Sequence, residues 1–334
     1  MGSLHARVLT QIEEVDVVAV VDPSPARREW VSRTYPWMGV HATLERALSE
    51  HLAIDLVAVA APAPALYGIG CEVLAAGLPL LVEKPLAGCE EDGLALVEEA
   101  ESRELLLGVG HVERCNPAVV ALKKRLDAGE IGRIYQIHAR RLSPFPERDS
   151  MLGVSLDLAT HDIDVMRYLI GSEIDRVFAE SARRLHDSAE DLIAATLRFA
   201  DSTTGLLEVN WLTPAKVREL VVTGEGGTFV VDYLTQELRF FRQPIESTTW
   251  DTLRTMRGAG EGDMIRYAIE RHEPLRMEWE SFLRAMEGLE SPLASGRDGY
   301  AALSTACAIQ RSGNSHETVV PGYRITQPAV TGEA

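Results

Sequence analysis

The sequence predicts an α/β domain built on a parallel sheet, followed by an α+β domain with a large, mostly antiparallel open sheet. Three observations carry this. Residues 1 to about 109 alternate helical and strand patterns, the mark of a parallel sheet flanked by helices. Within them Leu80-Leu81-Val82 runs into Glu83-Lys84-Pro85, which reads as a buried parallel strand delivering a charged pair to the sheet's carboxyl edge. After Gly171, strand patterns follow one another with hairpin turns and no helix between them.

In chain order, Gly2 to Ile12 reads as a helix and Val15 to Val21 as a strand ending in Asp22. Ser24-Pro25 supplies a helix start, with serine as cap and proline at the first turn. A strand over Ile54–Ala60 ends at Ala61-Pro62, and the helix behind it stops at Gly77. After the strand ending at Glu83 come a helix over Glu90–Ser102 and a strand over Leu105–Val109. Asn116-Pro117 opens a helix that runs to Gly129, and Ile131–Leu142 is a charge-rich strand. The stretch from Asp157 to Ile170 reads as a helix, with Asp157, His161 and Asp164 at i, i+4 and i+7 on one face. Strands are expected over Val177–Leu185, Leu192–Phe199, Thr204–Trp211, Arg218–Thr223, Thr228–Tyr233 and Leu238–Phe241, and helices over Glu278–Glu287 and Gly299–Arg311. The domains are set at 1–115 and 116–334.

A chain of 334 residues is long enough for two such cores. The formal charge of −17 argues against nucleic acid or an anionic membrane as a partner. Four cysteines, at 71, 89, 115 and 307, have no paired or metal-site spacing and read as the reduced thiols of a cytoplasmic protein. His111 with Glu113 lacks a third ligand by spacing, so no metal is expected.

In open α/β sheets, ligands sit at the carboxyl ends of the strands. A Rossmann-type dinucleotide fold opens with a strand running into Gly-x-Gly-x-x-Gly, and an acid about twenty residues on binds the ribose. The chain opens Met1-Gly2-Ser3-Leu4, as if on the last of those glycines, and Asp22 lies twenty residues after Gly2. The first strand, missing from this sequence, is therefore expected just upstream. Gly2, Asp22, Ala61, Pro62, Glu83 and Lys84 are the expected cofactor contacts. Asp22 would repel a 2′-phosphate, and Arg27 and Arg28 read as a solvated helix face more readily than as a phosphate site. NAD is expected, with NADP open.

The chain resembles the Gfo/Idh/MocA oxidoreductases. The likeness lies in Val82-Glu83-Lys84-Pro85-Leu86, Asp157-x-x-x-His161-x-x-Asp164 and Pro292-x-x-x-Gly296-x-Asp298-Gly299. It implies an NAD(P)-dependent dehydrogenase acting on CH–OH groups, with Lys84, Asp157 and His161 catalytic and an open sheet that builds oligomers. A homodimer or homotetramer is expected. Leu66 stands where the family usually has a histidine near the cofactor. A narrower likeness, in Gly110-His111-Val112-Glu113-Arg114-x-Asn116-Pro117 and Ala139-Arg140-Arg141-x-x-Pro144-Phe145-Pro146, is to the UDP-N-acetylglucosamine 3-dehydrogenases.

The chemistry fits the residues. Oxidising a secondary alcohol needs a base, a stabiliser of the developing alkoxide and an ordered nicotinamide. His161 suits the base, because an ordinary imidazole titrates near 6.5; Asp157 would orient it and Lys84 would steady the oxygen. A lysine base with histidine as its orienter stays open. Arg140, Arg141 and Arg148 are expected to bind a substrate diphosphate, with Glu113 and Asn116 on sugar hydroxyls. The competing readings are a 3-ketosugar reductase, a free sugar or cyclitol dehydrogenase, and a non-catalytic binding protein with an incomplete dinucleotide half.

Overall fold

Four consecutive buried residues, Leu80–Glu83 (β4), form the middle of a four-stranded sheet. Val57–Val59 (β3) and Leu107–Gly110 (β5) flank it in parallel, and Ala294–Ser295 (β14) closes the β5 edge antiparallel. Helices cover a parallel sheet on both faces, which is why this run is continuously buried rather than alternating. Ala19–Val21 (β1) and Gly39–His41 (β2) make a separate parallel pair. The computed structural model describes residues 1–50, 53–146, 152–243 and 263–326.

These strands belong to a unit of Met1–Gly110 together with Leu275–Gly299. The later segment enters it for a physical reason. Helix Pro274–Met286 lays Phe282 directly on β5, and a Cβ at Gly108 would come within 2.9 Å of that ring. Helix Gly2–Leu9 is shorter than its pattern suggests. Ser24 occupies the cap of helix Pro25–Thr34, yet its hydroxyl makes no cap bond. Asp22 takes over, its Oδ1 accepting the Ser24 N–H at 2.8 Å. Helix Ala63–Ala75 gives way at Gly77, whose φ of +75° suits glycine.

The second unit, His111–Pro274 with Tyr300–Ala334, holds an eight-stranded sheet. Its strands are Ile134–Leu142 (β6), Ile174–Ala182 (β7), Leu192–Phe199 (β8), Thr204–Asn210 (β9), Val217–Gly224 (β10), Gly227–Asp232 (β11), Glu237–Arg242 (β12) and Met264–Arg266 (β13). The order is β13-β12-β11-β10-β6-β9-β8-β7, and β6 with β9 is the parallel pair in an otherwise antiparallel ladder. Helix Pro117–Asp127 packs on β11 and β12, and helix Thr160–Ile170 on β6. On β7, exposed Arg176, Phe178 and Glu180 alternate with buried Val177 and Ala179, so the far face of the sheet is left open. No helix among the described residues is long and apolar enough to cross a membrane.

Candidate active site

In the first unit, Asp22, Ala61-Pro62 and Glu83-Lys84 follow the carboxyl ends of β1, β3 and β4. From residue 80 to residue 87 every side chain is buried except Lys84. The Lys84–Pro85 peptide is cis. Glu83 points inward. Its Oε1 pairs with His5 Nε2 at 2.9 Å, and its Oε2 accepts the Lys84 N–H at 3.2 Å. Trp279 Nε1 donates to His5 Nδ1 at 3.0 Å. An indole N–H can only donate, so His5 Nδ1 accepts and Nε2 carries the proton given to Glu83. The carboxylate expected on the cofactor thus ties helix Gly2–Leu9 and helix Pro274–Met286 to the base of Lys84. Sequence reasoning missed His5 and Trp279, because nothing local marks a partner so far along the chain.

Gly2 opens its helix at the surface, and a Cβ there would meet Ala60 at an ordinary 3.9 Å. Arg28 Nη1 donates to the carbonyls of Asp22 and Pro23, each at 2.8 Å, so this guanidinium braces the turn after β1. Pro62 caps helix Ala63–Ala75, and Leu66 is fully buried in the core. A dinucleotide fits these features: a helix N-terminus at Gly2, a carboxylate after the first described strand, and strand ends on either side.

In the second unit, Ser155–Ala159 forms a π turn that leads into helix Thr160–Ile170. The wider turn breaks the expected single face. From residue 153 to residue 167, Asp157 and His161 alone are not buried. Asp164 is fully buried and holds Arg114 with two bonds of 2.7 Å, so it does not join them. The His161 ring meets the buried His111 ring edge to face, 6.4 Å between centroids. Glu190 pins the turn: its Oε1 accepts the Ser155 N–H at 3.1 Å and the Ser155 hydroxyl, and its carbonyl accepts the Val154 N–H at 3.0 Å. Gln310 Nε2 donates to Ser155 Oγ at 2.6 Å. Beside it, burial works against the charge of Asp191, but N–H groups of Leu185, His186 and Arg184 outweigh it and hold its pKa below the ordinary carboxylate value.

Of the three arginines expected on a diphosphate, the two described ones, Arg140 and Arg141, point to opposite faces of the sheet. Arg141 is buried and spends its donors on Asp162, at 2.6 and 3.0 Å, and on Glu113 at 2.9 Å. Burial opposes its charge, but those two carboxylates prevail and raise its pKa above the ordinary guanidinium value. Arg140, one residue back, faces the other side of the sheet, with Glu208 at 3.0 Å and Glu219 at 3.7 Å opposite it on β9 and β10. Arg148 lies outside the described residues. Asn116 is buried; it caps helix Pro117–Asp127 through the Ala118 N–H and donates to the Tyr233 carbonyl at 3.1 Å.

Residues 1–111 match the oxidoreductase family described as having an NAD-binding Rossmann fold, and residues 119–230 match the Gfo/Idh/MocA C-terminal domain. The UDP-N-acetylglucosamine 3-dehydrogenase of Acidithiobacillus ferrooxidans is 25% identical over 321 residues, covering 93% of each chain. A solved structure of that enzyme superposes with a TM-score of 0.81 at 23% identity, over 94% of each chain. Inositol 2-dehydrogenase 1 of Saccharopolyspora erythraea is 31% identical over 323 residues, 93% of this chain and 90% of its own. The WlbA dehydrogenase of Bordetella pertussis, solved with NADH and UDP-GlcNAcA, has a TM-score of 0.76 at 22% identity, over 96% of this chain and 95% of its own.

Proposed function

The chain belongs to the Gfo/Idh/MocA family of NAD-binding oxidoreductases, dehydrogenases that act on CH–OH groups, and from that premise we propose that it oxidises a secondary hydroxyl of a sugar nucleotide, C3 of UDP-N-acetylglucosamine. One observation carries the assignment of roles. In two otherwise buried stretches, the side chains left accessible are Lys84 in the first and Asp157 with His161 in the second.

His161 takes the proton from the substrate hydroxyl. Asp157 steadies the imidazolium that results, and the Lys84 ammonium donates to the oxygen as negative charge builds. Bound NAD supplies the hydride acceptor. Asp22 would hold the adenosine ribose and the N-terminus at Gly2 would face the diphosphate.

A cyclitol as substrate is the second reading, favoured by the higher identity to an inositol dehydrogenase. The test is to give the protein NAD with UDP-N-acetylglucosamine, with free N-acetylglucosamine and with myo-inositol, and to follow absorbance of the reduced cofactor. The expected result is turnover of the nucleotide sugar at a kcat/KM at least about 100-fold above the other two. Equal or better turnover of myo-inositol would remove the nucleotide from the substrate.

The open face of the eight-stranded sheet supports a second proposal. It mixes Phe178, Leu206, Val221, Val230 and Phe241 with charged residues, and covering it with another copy would bury that apolar area. Light scattering is expected to return the mass of a dimer or tetramer; a monomer at micromolar concentration would refute this.

A further inference from the structure

Register across the second sheet places three polar side chains in one row. Arg218 on β10 stands directly opposite Arg141 on β6, and on its other side the Tyr233 N–H donates to the Arg218 carbonyl at 3.0 Å. Residues directly opposite one another project to the same face. The row therefore lies on the face of Arg141 and its partner Asp162, away from Arg140. The Arg141 guanidinium reaches over the Tyr233 ring, 5.5 Å from its centroid.

The two arginines are served differently. Arg141 has two carboxylates, as described above. Arg218 has carbonyls: its Nη1 donates to Leu142 at 2.9 Å and to Val217 at 3.0 Å. Among the described residues Arg218 forms no ion pair within 4.0 Å. Its surroundings leave the cation short of negative charge. Burial and the neighbouring Arg141 bring its pKa down to about 10, while Asp162, Glu113 and Asp157 act more weakly against them. At neutral pH it stays protonated. The adjacent Tyr233 hydroxyl is buried and has no hydrogen-bond partner among the described residues. Burial and the acids Asp162 and Glu113 push that phenol well above its ordinary value, so it stays a donor. A guanidinium held by one nitrogen and a phenol O–H thus share one row, and no acceptor among the described residues is bonded to both.

We propose that Arg218 recognises an anionic group on the substrate, donating to a phosphate or carboxylate oxygen, and so sets preference for a charged sugar derivative over a neutral polyol. This rests on the dehydrogenase reading above only in taking that ligand to be the substrate. Arg141 is worse placed to do the same, because it is buried and its charge is already matched by Asp162 and Glu113. Asp162, the residue after His161, is bonded twice by Arg141, and this ties the row to the segment that carries His161. The fork geometry of a guanidinium suits two oxygens of one anion, which a lysine ammonium matches poorly.

Binding and turnover are measured separately. Calorimetric titration of the whole protein with UDP, and in a parallel arm with glucuronate, tells a diphosphate from a carboxylate without any need for reaction. Arg218→Gln is expected to weaken whichever anion binds by about 10- to 100-fold. It should also lower the ratio of kcat/KM for the charged sugar to that for myo-inositol, with the loss mainly in KM. Arg218→Lys keeps the charge and loses the fork, and is expected to recover part of the affinity; it carries the comparison if the glutamine variant does not fold. Unchanged anion affinity in both variants, or a parallel loss on charged and neutral substrates, overturns the proposal. So does wild-type protein that binds neither anion. Wild-type protein that binds UDP through Arg218 yet leaves UDP-N-acetylglucosamine unoxidised would refute the substrate reading and leave this one standing.

Discussion

Replacing His161 by alanine is expected to lower kcat by about 10²- to 10⁴-fold with little change in NAD affinity, the range removed with a positioned acid–base group. Lys84→Ala should cost about 10²- to 10³-fold, as for loss of a donor to a developing oxyanion. The two should differ in their pH profiles. Wild-type kcat/KM is expected to rise with pH through the range where an imidazole loses its proton, and His161→Ala should lose that limb while Lys84→Ala keeps it. Steady-state rates between pH 5 and 9 decide. If Lys84→Ala loses the limb and His161→Ala retains it, the base is the lysine and histidine only orients it. Near-normal turnover in either variant removes that residue from the chemistry.

The exposure of these side chains was legible because local rules point at it. An apolar run that ends in a charge before proline leaves few places for the lysine to go, and Lys84 is indeed the one accessible residue of its stretch. The strands of the second sheet were legible from period-two alternation, as on β8, where buried Ile193, Ala195 and Leu197 face one way. Very short elements were not: Gly39–His41 and Ala294–Ser295 offer too few residues for any period to register. Neither was the π turn, since nothing in Ser155-Leu156-Asp157-Leu158-Ala159 distinguishes a π turn from an α turn. Asp164 looked equivalent to Asp157 by spacing and proved to be interior. The separation of Arg140 from Arg141 was illegible for another reason. Adjacent strand positions point to opposite faces, so Arg140 and Arg141 part company, and Arg218 joins Arg141 only through a register no local pattern encodes. The same holds for His5 and Glu83, whose partnership depends on helix Gly2–Leu9 meeting the end of β4.

The larger effect on stability is expected at Asp164. Its carboxylate is fully buried and bound twice by Arg114, itself buried, with that guanidinium 4.9 Å from the centroid of the Tyr168 ring. Asp164→Ala would take from the buried Arg114 guanidinium the carboxylate that binds it twice. Breaking a buried pair from one side costs about 3–5 kcal/mol, which for a unit of this size lowers the melting temperature by on the order of 10 °C. Replacing both partners with apolar residues, Arg114→Met with Asp164→Leu, removes the stranded charge and should recover much of the loss. Thermal melts of the single and double variants check this. A single variant that melts within about 1 °C of wild type would show that water reaches Arg114 and that the pair is not interior. Because Asp164 and His161 share one helix, a partly active Asp164→Ala protein would also show how much disorder the site tolerates.

The widened coil at residues 155 to 159 makes this stretch sensitive to its length as well as to its letters. An α-helix advances about 100° per residue. Deleting Leu158 or Ala159 while keeping the downstream helix intact would therefore swing the His161 imidazole away from the Asp157 carboxylate by about that angle. Homologous enzymes that gain or lose an amino acid just there should have moved their proton acceptor to a new position, whereas equal-length changes of apolar type should pass unnoticed.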